Sequence, residues 1–204
     1  SEESLPEEIN LGILRVPNDE TIALAEGFLD EYFTERGIEV NTRVFDSGAE
    51  ANQALASGSI DFATMGNTNA ITALARDLNV ELVWIHEVLG ENEALAVKNG
   101  SGFEEVEDLA GERIAVPFAS TAHYILLNVL KEAGIEDDVQ LLDMQTAEIV
   151  AAWERGDVQA AYSWQPTLAQ LLENGYTLTD SREMADKGFI TANVEVVRKE
   201  FSEE

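Results

Sequence analysis

The stretch RIAVPFASTAHYILLNVLKEAG, residues 113–134, holds the strand-to-helix turn around which the rest of the chain is arranged. Ile114, Ala115 and Val116 read as a buried strand running to Pro117, and Ser120 and Thr121 occupy a short turn. Leu126, Leu127 and Leu130 then give the following segment an apolar helical face that Gly134 brings to an end. Hydroxyls and unpaired N–H groups at a helix start, just past a strand's carboxyl end, form a place for an anion. The helix dipole favours negative charge there by about 0.3–1 kcal/mol. The same two residues also suit a plain N-cap, a role Ser and Thr fill in many helices that bind nothing.

Working outward, the same alternation continues on both sides. Upstream, residues 9–16 read as a strand, Pro17-Asn18-Asp19 as a turn, 21–36 as a helix closed by Gly37, and 39–45 as a second strand. Ser47 caps a helix over 49–57, GSIDFATMG (58–66) supplies a third strand, and Asn67 and Thr68 open another helix. Strands follow at 81–86 and 93–98. Downstream, strands are expected near 139–142, 158–163 and 176–178, with an extended run at 189–197. Helices fall at 146–155, ending in an Arg155-Gly156-Asp157 turn, and from Trp164-Gln165-Pro166 to Glu173. Strands alternating with helices predict an α/β protein with a mainly parallel sheet. The polar stretch KNGSGF (98–103) suits a domain crossing. The expected division is a first lobe of residues 1–97 plus 191–204 and a second of 98–190.

Composition narrows the classes. A chain of 204 residues, 45% of them hydrophobic, can bury a real core. Cysteine is absent, which excludes disulfides and thiolate metal sites, and neither His86 nor His123 sits in a metal-ligand spacing. Each histidine is expected to be packed or on the surface, and neither metal nor cofactor is expected. Forty acidic against 12 basic residues give a net charge of −28, which argues against nucleic acid and anionic lipid as partners. The acids are spread along the chain, as on a solvated surface suited to high salt or an extracellular setting. An anionic ligand would then be held by local N–H dipoles and hydroxyls, against the overall field. No apolar run is long enough to cross a membrane. SEESLPEE (1–8) reads as an acidic leader, and KEFSEE (199–204) as the first turns of a helix, so the sequence is expected to be a piece of a longer protein.

Ligands of open α/β sheets lie beyond the carboxyl ends of the strands. Four helix starts meet that condition: Ser47-Gly48, Gly66-Asn67-Thr68, Ala119-Ser120-Thr121 and Trp164-Gln165-Pro166. Two fall in each lobe, which predicts a small molecule gripped by hinge closure. Catalysis finds no comparable support. GNTNA (66–70) lacks the lysine of a phosphate loop, no GxGxxG occurs, and Ser120 with His123 is not a nucleophile elbow.

The ordered set FDSGAEANQALASGSIDFATMG (45–66), LGENEALAV (89–97), RIAVPFASTAHY (113–124), AAWERGDVQAAYSWQP (151–166), LTDS (178–181) and VVRKEF (196–201) resembles a family of bacterial ABC-importer solute receptors. It is most similar to the branch that binds taurine, within a wider group for aliphatic sulfonates, nitrate and related solutes. The resemblance runs from about Ile9 to Phe201. It implies a two-lobe periplasmic-binding-protein-like fold with Rossmann-like lobes and two crossings, near residues 97–100 and 191–194. It further implies further C-terminal helices, an extracytoplasmic location (periplasmic or lipid-anchored), a membrane permease as partner, a monomer, and no enzyme activity. Carried over, Gly66, Asn67 and Thr68 from one lobe and Ser120 and Thr121 from the other would meet the sulfonate. Glu93 would face the ligand's ammonium and Trp164 would wall the short spacer; from the residues alone Glu93 reads as a surface acid and Trp164 as a core tryptophan. One departure stands out: similar proteins carry Asp-Val-Trp where this chain has Asn193-Val194-Glu195. The amine would then lose one of two carboxylates, a costly loss for a desolvated ammonium unless Glu87 compensates. The expected function is a receptor for taurine or a related alkanesulfonate. The alternatives are a receptor for another small anion or heterocycle, or an enzyme on the same fold.

Overall fold

A computed structural model of the chain describes residues 5–203. In chain order the first elements are β1 (Glu8–Leu14), α1 (Asp19–Ala25), α2 (Phe28–Thr34), β2 (Glu39–Phe45), α3 (Gly48–Ala56), β3 (Phe62–Gly66), α4 (Asn67–Ala75) and β4 (Val80–Val88). Then come β5 (Glu93–Lys98), a 3-10 turn (Val106–Leu109), β6 (Arg113–Val116), α5 (Thr121–Ala133), β7 (Gln140–Asp143), α6 (Thr146–Arg155) and β8 (Ala160–Trp164). The chain closes with α7 (Thr167–Leu172), β9 (Gly175–Asp180), α8 (Ser181–Asp186), β10 (Ala192–Arg198) and α9 (Lys199–Ser202). Residues 1–4 of the expected leader and Glu204 lie outside the described residues.

The chain folds as two units, one running up to Glu87 and resuming at Ala192, the other comprising Val88–Thr191. Each holds a five-stranded sheet, ordered β2-β1-β3-β10-β4 in the first and β7-β6-β8-β5-β9 in the second. The expected mainly parallel sheets are mixed. β1 runs parallel to β2 and β3, and β6 runs parallel to β7 and β8, as strand–helix–strand crossovers require. β10 is antiparallel to β3, and β5 is antiparallel to β8 and β9. These are the strands by which the chain enters a sheet after crossing from the other unit, so no helical crossover fixes their direction. Because β5 pairs in the second sheet, the first crossing precedes it and comes before the polar stretch 98–103.

Period-two alternation sorts the side chains of the inner strands onto two covered faces, whereas residues 81–85 of β4 are exposed. In the first unit Ala63, Met65, Val194 and Val196 pack with Ala51, Leu55, Ala70 and Ala73 of α3 and α4. Ile9, Leu11 and Ile13 pack on the opposite side with Leu24, Leu29 and Phe33 of α1 and α2. In the second unit Leu95, Val97, Ile114 and Val116 meet Ile125, Leu126, Val129 and Leu130 of α5. Ala94, Ala96, Ala115 and Ala161 meet Ile149 and Trp153 of α6 and Leu168 of α7.

The single helix expected over 21–36 is two, because Gly27 takes a left-handed φ of 74° and caps α2. The polar turn after β9 is a helix start, with Asp180 accepting from the backbone N–H groups of Arg182 and Glu183. The Arg155-Gly156-Asp157 stretch is the expected helix end, with Gly156 at a left-handed φ of 79°.

Candidate ligand-binding site

In the second unit, β6 leads through Pro117, Phe118 and Ala119 into α5. Ala119 holds a φ of 60°, sparsely populated for a residue with a Cβ, immediately before the cap. Ser120 is a full N-cap: its hydroxyl donates to the Pro117 carbonyl at 2.6 Å and accepts from the His123 N–H at 3.1 Å. Helix geometry leaves the N–H groups of Thr121 and Ala122 without intrahelical acceptors. His123 stacks face to face on Phe118, with ring centres 4.3 Å apart, and its Nδ1 accepts from the Ala119 N–H at 3.2 Å. Burial pushes the His123 pKa down, against the opposing pull of Asp143.

Glu93 is not a surface acid. It opens β5 on the face that α5 covers, and it is fully buried. One carboxylate oxygen accepts from the Thr121 hydroxyl at 2.5 Å and the other from the Ser181 hydroxyl at 2.7 Å. Ser181 also hydrogen-bonds the Tyr162 phenol at 3.1 Å, and burial together with the charge of Glu93 raises that phenol's pKa. One carboxylate therefore ties the starts of α5 and α8 to β5. Trp164 stands opposite Glu93 across the β5–β8 pairing, half-buried against the core beneath α5, and α7 begins only at Thr167.

In the first unit, Gly66 ends β3 and caps α4 without any side-chain bond, so the first turn of α4 has no hydroxyl cap of its own. Asn193 of β10 lies opposite Gly66 in the register. The Asn67 Oδ1 accepts from the Ala192 N–H at 3.3 Å, fixing the helix start to β10. The Asn193 amide donates to Glu87 at 2.8 Å, so the acid expected to compensate for the missing aspartate is engaged by the residue that replaces it. Thr68 carries a buried hydroxyl oxygen with no hydrogen-bond partner among the described residues. At the neighbouring start of α3, Ser47 caps through the Glu50 N–H, and a Cβ on Gly48 would come within 2.5 Å of the Asn69 side chain.

Sequence reasoning missed a second polar cluster in this unit. His86 of β4 lies between Asp19, 2.7 Å from Nδ1, and Glu195, 2.9 Å from Nε2. The Thr64 hydroxyl contacts both Glu20 and Glu195, the latter at 2.8 Å. Burial by itself would lower the His86 pKa, but its bonds to Glu195 and Asp19 outweigh that and raise it to about 9. Burial and the charge of Glu195 push Glu20 up to about 7. Asp19, for which partial burial opposes the shift, is held below its usual value by His86. The one signal in the sequence was Glu195 itself, as part of the departure at 193–195.

Two α/β units with mixed five-stranded sheets, each presenting a helix start beside a returning strand, define a two-lobe substrate-binding fold. The chain belongs to the OpuAC family, the substrate binding domain of ABC-type glycine betaine transport systems, whose model matches residues 15–204. It is 42% identical to the taurine-binding periplasmic protein of Escherichia coli over 83% of this chain and 52% of that protein. It is 29% identical to a putative aliphatic sulfonates-binding protein of Bacillus subtilis over 97% of this chain and 59% of that protein. The chain thus spans about half the length of the curated relatives it matches. The alkanesulfonate-binding protein SsuA from Xanthomonas axonopodis pv. citri, solved with MOPS bound, shares the fold with a TM-score of 0.85 at 23% identity, over 97% of this chain and 67% of that one. Among the described residues no helix is long and apolar enough to cross a membrane.

Proposed function

We propose that the protein is an extracytoplasmic receptor, periplasmic or lipid-anchored, that binds taurine or a close ω-amino sulfonate and delivers it to an ABC-type membrane permease. The observation that carries this reading is the buried, unpartnered hydroxyl of Thr68 at the start of a helix that has no hydroxyl cap. A buried hydroxyl left alone costs about 1–3 kcal/mol, and a sulfonate oxygen would supply its partner. Gly66, Asn67 and Thr68 would offer donors to sulfonate oxygens without a buried cation, and the N–H groups following Ser120 would offer donors of the same kind. Thr121, held by Glu93, would contribute chiefly through its backbone. Glu93 would take the ammonium, with Trp164 against the ethylene spacer and Asn193 beside the sulfonate donors. The 42% identity to a taurine-binding relative supports the same ligand class.

Calorimetric titration with taurine, ethanesulfonate, sulfate and nitrate tests the reading. Taurine is expected to bind at micromolar concentration, about −8 kcal/mol, and well ahead of the others. Preference for ethanesulfonate would assign the receptor to simple sulfonates and remove the amine site. Silence towards taurine and ethanesulfonate in a folded sample would overturn the sulfonate reading.

A further inference from the structure

The polar cluster of the first unit is built from four elements. Thr64 and Glu195 are register partners across β3 and β10, so their side chains rise on one face of the sheet while Met65 and Val194 enter the core behind. His86 reaches the same place from β4, and Asp19 and Glu20 from the start of α1. One ligand atom each from Glu20, His86 and Glu195 lie within 4.8 Å of one another. From these residues we propose a binding site for a divalent transition-metal ion of the zinc type, with His86 Nε2 and one oxygen each of Glu20 and Glu195 as ligands.

Four features of the chemistry and geometry support this assignment. An imidazole with two carboxylates is the mixed nitrogen–oxygen donor set that zinc, cobalt and related ions take up, whereas calcium and magnesium ask for oxygens alone. The His86 Nδ1 is already oriented by Asp19 at 2.7 Å, the carboxylate–imidazole arrangement that fixes a metal-binding tautomer and leaves Nε2 facing inward. Nε2 and the Glu195 oxygen stand 2.9 Å apart, and ligand atoms on a tetrahedral ion with bonds of 2.0–2.1 Å are about 3.3 Å apart. The His86–Glu195 pair would open by a few tenths of an ångström around the ion, and the Glu20 oxygen, within 4.8 Å of both, would close onto it. Three carboxylates facing one imidazole also leave an excess of negative charge in a partly buried place, which a divalent cation would neutralise. The ion would fasten the start of α1 to β4 and β10.

The test uses the full chain stripped with a chelator and kept in 1 M KCl with excess Mg2+, so that the 40 acidic residues do not compete through their general field. Co2+ is then titrated, without any sulfonate, and visible absorption is followed. One equivalent is expected to give the intense d–d bands of a four-coordinate site, displaced by Zn2+. His86→Gln and Glu195→Gln should abolish the bands, and Asp19→Asn should keep them while weakening affinity about 10- to 100-fold. Circular dichroism checks that each variant is folded. Where His86→Gln fails to fold, Glu20→Gln, which leaves the pairs made by His86 in place, is expected to lose at least tenfold in affinity. No bands in the parent protein, or bands that survive in folded His86→Gln or Glu20→Gln protein with unchanged affinity, would overturn the site. Because no sulfonate is present, failure here leaves the receptor reading untouched.

Discussion

Thr68 and His123 show how differently two residues at helix starts depend on their surroundings. The Thr68 hydroxyl is buried and unpartnered, so Thr68→Val, which keeps the shape and removes the oxygen, should leave the melting temperature of the free protein unchanged or slightly raised. Taurine affinity should fall about tenfold, the value of one hydrogen bond to a charged group. Equal affinity in calorimetry would remove Thr68 from the ligand site. Burial favours the neutral form of His123, in which its Nδ1 accepts from Ala119, a residue at a φ of 60°. A histidine whose folded pKa lies below its unfolded one binds more protons when unfolded. Its contribution is therefore present above the unfolded value near 6.5 and lost as pH falls through the folded one. Urea midpoints measured between pH 7.5 and 5 should fall more steeply for the parent than for His123→Gln; parallel curves would show that this ring does not matter. The cap at Ser120 was legible because a cap is local chemistry. The partners of Glu93 were not, since Thr121 and Ser181 reach it only through strand pairing and helix packing far along the chain.

Among the elements, those closed by local signals are the ones the sequence showed most plainly. Gly134 and Gly156 end α5 and α6 as expected, both at left-handed φ. The membership of β5 was misplaced, because alternation tells a strand from a helix but does not say which sheet the strand joins. The same packing makes some glycines far more sensitive than others. At Gly175, in β9, a Cβ would lie 2.7 Å from the Val97 carbonyl oxygen, 2.9 Å from that of Leu171 and 2.8 Å from the Trp153 ring. Two of the three are backbone atoms that cannot move without disturbing β5 or α7. Gly175→Ala should therefore destabilise the second unit by about 1–3 kcal/mol. Gly27, between α1 and α2, has nothing within 4 Å of a Cβ, and only its left-handed φ of 74° resists substitution. Gly27→Ala should cost about 1 kcal/mol. Urea denaturation of the two variants side by side checks the order, and a Gly27 variant weaker than the Gly175 one would reverse the argument.

At the scale of the whole molecule the decisive quantity is charge, and composition shows it in full: 40 acidic against 12 basic residues. Exposed pairs such as Arg15–Asp46 and Arg155–Asp157 contribute little, whereas Arg198–Asp61, largely buried at 2.6 Å, is sheltered from salt. What salt acts on is the mutual repulsion of a net −28. Raising KCl from 0.1 to 1 M shortens the screening length from about 10 Å to about 3 Å. We expect a gain of about 2–3 kcal/mol, which for a chain of this size raises the melting midpoint by about 5–10 °C. The greater part should come below about 0.5 M, where screening changes fastest; a linear rise through molar concentrations would instead report exclusion of salt from the surface. The same field acts on ligands. Ethanesulfonate carries a net negative charge and must approach against it, so its affinity should rise with KCl over the range in which stability rises. Taurine is a zwitterion with no net charge, and its affinity should change far less. Parallel salt dependence for the two would mean that the binding groups feel only their local dipoles, and that the acidic surface serves solvation alone.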